Sequence, residues 1–98
     1  MDVIARFPDE RVGVVQNKNV PLSVLERLIS DPDVRVRFML TMKRKLPAQF
    51  LERLAHDADE SVRLKVAQHR NTSMATLEAL RHDPWEEVRA AVGERLER

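Results

Sequence analysis

The chain contains no cysteine and no tyrosine, and only two glycines. Without cysteine it can form no disulfide, thiolate zinc site, cysteine nucleophile or cysteine-ligated iron–sulfur cluster. Two Gly and five Pro in 98 residues are too few for a disordered or fibrous chain. No run of about 18 apolar residues is present, which excludes a membrane-spanning helix. Met1-Asp2-Val3-Ile4-Ala5-Arg6 lacks the basic start and long apolar stretch of a secretory signal, so a cytoplasmic location is expected. Neither sign of charge dominates: 17 Lys+Arg face 16 Asp+Glu, a net charge of +1. With 43% hydrophobic and 34% charged residues, the composition fits one small soluble domain over residues 1–98.

What the sequence does contain is a repeat. Leu25, Leu51 and Leu77 are spaced by 26 residues, as are Leu28, Leu54 and Leu80. Glu26, Glu52 and Glu78 keep the same period, and so do Asp31, Asp57 and Asp83. Val36-Arg37, Val62-Arg63 and Val88-Arg89 follow it without insertion or deletion. This register divides the chain into units of about 5–30, 31–56 and 57–82 and a half unit 83–98. The first unit is degenerate: Arg11 keeps the arginine slot, but Glu10 stands where the others have Val. Terminal repeats are expected to be atypical because one face meets water.

Each unit reads as two short helices of about 8–11 residues. The first is expected to start after Asp31, Asp57 or Asp83, with that Asp as N-cap. Pro32 and Pro84 would then take the first helical position, and Glu60 and Glu86 the capping-box position. Val36/Leu40, Val62/Val66 and Val88/Val92 repeat at a spacing of four, one helical face. The second helix is expected to start at Pro21, Pro47 or Ser73, with the paired leucines three apart as its apolar face. Helices this short are marginal alone in water. They must stack, which predicts an all-α fold: a right-handed α-solenoid of about three and a half two-helix units.

The run Val62-Arg63-Leu64-Lys65-Val66-Ala67-Gln68-His69-Arg70-Asn71-Thr72-Ser73, continued by Leu77-Glu78-Ala79-Leu80-Arg81-His82-Asp83-Pro84, resembles the leucine-rich repeat variant, a family close to HEAT-like repeats. The resemblance covers nearly the whole chain from Phe7 onward. It implies alternation of an α-helix with a 3₁₀ or short α-helix and says almost nothing about activity. A family member carries an iron–sulfur cluster on a Cys-rich segment, a role that a chain without cysteine cannot take over. Unit two departs most from the pattern: Lys43-Arg44-Lys45-Leu46 stands where unit one has the polar Asn17-Lys18-Asn19.

Residues that recur in every unit are expected to serve the stack. Arg11, Arg37, Arg63 and Arg89 could form a phosphate ladder, but they travel with Asp31, Asp57 and Asp83, and pairing between units is the expected role. Glu26, Glu52 and Glu78 read as a solvated face. His56 and His82 occupy equal slots at helix C-termini, where a cation suits the dipole; with His69 in the other turn, no third metal ligand is evident. No Gly-rich phosphate loop, two-His helix motif or nucleophile elbow occurs. The chain is therefore expected to be non-enzymatic, with no catalytic residue, metal, cofactor or small-molecule substrate.

Charge is distributed unevenly. Net charge is +1 in residues 5–30, +3 in 31–56, 0 in 57–82 and −2 in 83–98, with Asp2 adding −1. The turns within units carry Lys18, Lys43, Arg44, Lys45, His69 and Arg70, and those between units carry Asp31, Asp33, Asp57, Asp59, Glu60, Asp83, Glu86 and Glu87. One edge is thus expected to be basic and the other acidic. Trp85, the sole tryptophan, replaces Asp33 and Asp59 of the other units, as an exposed interface anchor or as a cover over the end of the stack. Phe38, Met39 and Met42 read as core filling or as an adaptable apolar surface. Lys18, Lys43, Arg44, Lys45, Arg70 and Trp85 are the candidate partner-binding residues. The expected function is a protein-binding module, most concretely an immunity or inhibitor protein masking one dedicated toxin or effector, as so few repeats suggest. The alternatives are a nucleic-acid backbone binder using the basic edge and an adaptor subunit of a larger complex.

Overall fold

The computed structural model describes residues 13–15, 17 and 19–97. After a helical turn at Gly13, Val14 and Val15 come α1 (Leu22–Leu28), α2 (Val34–Leu40), α3 (Ala48–Leu54), α4 (Glu60–Gln68), α5 (Met74–Leu80) and α6 (Glu86–Leu96). Among the described residues there is no strand. The helix starts keep the period of the sequence: Leu22, Ala48 and Met74 are 26 apart, and so are Val34, Glu60 and Glu86.

The two helix types bury different faces. α1, α3 and α5 bury Leu25/Leu28, Leu51/Leu54 and Leu77/Leu80, pairs three residues apart on one side of a helix. α2, α4 and α6 bury Val36/Leu40, Val62/Val66 and Val88/Val92, all fully enclosed and four apart. α2 packs on α4 and α4 on α6, while each of α3 and α5 also leans on the helix that follows it. The result measures 46 × 23 × 15 Å. Helices of 7–11 residues are individually marginal, and this shared core holds them.

The helix starts correct the expected caps. The N-caps are Asp33 and Asp59, not Asp31 and Asp57, and Trp85, not Asp83. The Asp33 carboxylate accepts the Arg35 N–H, and Asp59 accepts the N–H groups of Ser61 and Val62. Asp31, Asp57 and Asp83 lie two residues earlier and accept the backbone N–H of residues 33, 59 and 85 at 2.8–2.9 Å. Pro32 and Pro84 therefore precede the cap. Glu60 and Glu86 begin their helices, too early for a capping box. The second helices start as expected, with Pro21, Pro47 and Ser73 as N-caps in extended conformation. Among the described residues, no helix is long and apolar enough to cross a membrane.

Candidate functional site

Two rows of turns join the helices, and each is stitched by its own set of bonds. In the row between units, arginine and aspartate alternate. Arg37 Nε donates to Asp57 Oδ2 at 2.7 Å while its Nη1 donates to the Asp31 carbonyl. Arg63 does the same with Asp83 Oδ2 at 2.7 Å and the Asp57 carbonyl. The paired carboxylates are only 4–5% exposed and the guanidinium side chains 14–17%. Arg89 repeats the bond to the carbonyl of Asp83. The recurrent arginines thus pair with the recurrent aspartates, as their common period implies; Arg11 lies outside the described residues. The aspartates of this row are engaged within the molecule, while Glu60, Glu86 and Glu87 are exposed.

The row within units is held by a different device. Residues 43, 69 and 95 share one slot of the 26-residue register, and each donates backwards to main-chain carbonyls. Lys43 Nζ donates to the carbonyls of Val15 and Asn17, both at 2.9 Å. The buried His69 presents Nε2 to the Lys43 carbonyl at 2.7 Å and accepts the Asn71 N–H on Nδ1. Those partners fix the neutral tautomer with hydrogen on Nε2. Arg95 Nη1 donates to the carbonyls of Ala67 and His69. Asn71 adds bonds from Nδ2 to the carbonyls of Arg44 and Leu46.

These bonds sort the candidate residues. Lys43 is half-buried and its ammonium is occupied by turn carbonyls, so it supports the turn. Arg44, Lys45 and Arg70 are exposed, and none of their side chains makes a hydrogen bond or ion pair among the described residues. Lys45 occupies the slot of Asn71 without making its bonds. Lys18 lies outside the described residues. Trp85 is half-buried against the apolar core, at the start of α6 in the other row of turns, away from these cations. His56 and His82 are exposed.

Beside Arg44 and Lys45 lies a groove of about 670 Å³. Val15, Leu25 and Leu46 are buried in its floor, and Leu22 and Met42 stand along it 55% and 54% exposed. Met39 lines the groove too, while Phe38, next to it, packs on the core and carries the Lys65 ammonium 5.7 Å above its ring. The donor slot of residues 43, 69 and 95 was overlooked at sequence level. Its signal was a polar donor recurring at the repeat period. The groove had no such signal, because its walls come from different units. No family model, curated protein or solved structure matches the chain.

Proposed function

We propose that the chain is a short α-solenoid of HEAT-like units, similar to the leucine-rich repeat variant, acting as a non-enzymatic protein-binding module. Helix boundaries at 26-residue steps and bonds linking each unit to the next support the solenoid reading. Its most concrete form is an immunity or inhibitor-type cytoplasmic protein that masks one dedicated protein partner. The observation carrying this reading is the set of cations left over. In a row of turns where Lys43, His69, Asn71 and Arg95 hold the backbone, Arg44, Lys45 and Arg70 hold nothing. Unpaired surface cations speed and orient docking to an acidic surface. Leu22 and Met42 favour a protein over a bare phosphate backbone, which offers no apolar counterpart.

The test is capture of partners from nuclease-treated native extract on the pure protein, with Arg44→Glu/Lys45→Glu run beside it. Lys43 is left intact because its ammonium braces the turn. One stoichiometric protein, lost with the variant, is the expected result. Retention of that protein by the variant, or turnover of a substrate by the pure chain, would overturn the reading. Recovery of nuclease-sensitive material alone, bound with a steep salt dependence, would favour nucleic-acid backbone binding.

A further inference from the structure

Four large hydrophobic side chains are exposed among the described residues: Leu22, Val34, Met42 and Met74. Two of them, Leu22 and Met42, flank the same groove, and that groove is edged by Arg44 and Lys45, whose charges nothing in the described structure offsets. Apolar side chains and unpaired cations meet here where the first unit adjoins the unit with the largest net charge, +3 over residues 31–56. We propose that this groove docks a short peptide segment of another protein that carries apolar anchors flanked by acidic residues. The proposal deepens, and rests on, the reading of this edge as the partner-binding surface.

Each part of the occupant answers a feature of the site. A Leu, Met or Phe side chain lying between Leu22 and Met42 would remove both from water, and methionine adapts its shape to such a guest. Groove volume falls within the ~300–1,000 Å³ typical of clefts that enclose a ligand. Carboxylates beside the anchors would meet Arg44 and Lys45. Arg44 suits them by its planar fork of donors, and Lys45 as a point charge. Lys43 is not available for this pairing, since its Nζ is bound to the carbonyls of Val15 and Asn17.

A second copy of the chain fits the groove poorly. The acidic residues of its last helix, Glu86, Glu87 and Glu94, lie on an element with no exposed large hydrophobic side chain. Met74, the most exposed large hydrophobic residue among the described residues, neighbours Glu78, which already pairs with Arg81. Where an exposed apolar residue of the described surface does have an acidic neighbour, Leu22 with Glu26, Val34 with Asp33 and Met74 with Glu78, that acid already pairs with an arginine of its own chain.

The experiment is selection of a random peptide library displayed on phage against the full chain, followed by fluorescence titration of the recovered peptides. Leu22→Asp and Met42→Asp remove the apolar walls at exposed positions. Arg44→Glu/Lys45→Glu reverses the rim, and circular dichroism checks that each variant is folded. Expected is a consensus with apolar anchors and flanking Asp or Glu. Its binding should be lost with either wall variant and weakened about tenfold or more by the rim variant. Any of three results would overturn the inference: no consensus, a basic or purely polar consensus, or binding that survives Met42→Asp. Tighter binding of labelled oligothymidine than of any peptide would overturn it as well. If the native partner still depends on Arg44 and Lys45 while the library shows no such consensus, the groove inference fails and the wider partner-binding reading stands.

Discussion

The two rows of turns use charge in opposite ways. Between units, opposite charges meet: Arg37 with Asp57 and Arg63 with Asp83, with carboxylates nearly removed from water. Within units, positive or neutral donors meet main-chain carbonyls, and the cations that find no carbonyl stay outside. A charge buried beside its counterion is committed to the fold, because removing either partner strands the other in a low-dielectric site. A donor on a main-chain carbonyl involves no buried ion pair, and the slot beside it can change without stranding a charge. The lesson is that the row with weaker internal demands is the one free to carry Arg44, Lys45 and Arg70.

The sharpest way to break this contrast is to remove one buried acid. Asp83→Ala is expected to cost about 3 kcal/mol or more in chemical denaturation, since it leaves the Arg63 guanidinium 14% exposed and without its carboxylate. His69→Ala comes next, at about 2 kcal/mol in the same assay. It deletes a buried ring with bonds to Lys43 and Asn71 and leaves both backbone groups to find new partners. Lys45→Asn sharpens the comparison in the other direction. It places in unit two the residue that ties the turn in unit three, and stability is expected to rise by about 0.5–1 kcal/mol while partner capture weakens. The smallest effect belongs to Arg44→Glu/Lys45→Glu, whose thermal and denaturant midpoints should correspond to a change within about 0.5 kcal/mol. A large loss there would show that these cations support the fold after all.

Much of this contrast was legible in the residues themselves. Leu, Val, Asp and Arg columns at one period pointed to the buried faces of α1–α6 and to the arginine–aspartate pairing. The caps differ from the expected ones for a physical reason. Each of units two and three has two aspartates two positions apart, Asp31/Asp33 and Asp57/Asp59, and either satisfies a capping rule that looks only at residue type. The first of each pair closes a turn with its own downstream N–H, and Asp57 also receives an arginine, so capping falls to the second. The bonds of the other row were invisible because their acceptors are carbonyls, which every residue has. Lys43 therefore looked like a free cation beside Arg44 and Lys45. Trp85 left two roles open in the sequence, and its half-buried position against the core depends on how α6 meets the rest of the molecule.

The spacing of the stitches has one more consequence. The arginine–aspartate pairs that link units, Arg37 with Asp57 and Arg63 with Asp83, each span 20 residues, and the donor-to-carbonyl bonds of the other row span 25–28, so none of these staples reaches past the adjoining unit. If residues 57–82 were excised, Asp83 would arrive where Asp57 had been, twenty positions after Arg37, and Arg95 would fall into the slot of His69. The joint would reseal with its own chemistry. A duplicated block would be received in the same way. Unequal recombination can therefore shorten or extend this molecule in whole steps of 26 residues without orphaning an internal charge. The length of the exposed surface becomes a heritable variable, separable from the bonds that keep the chain folded.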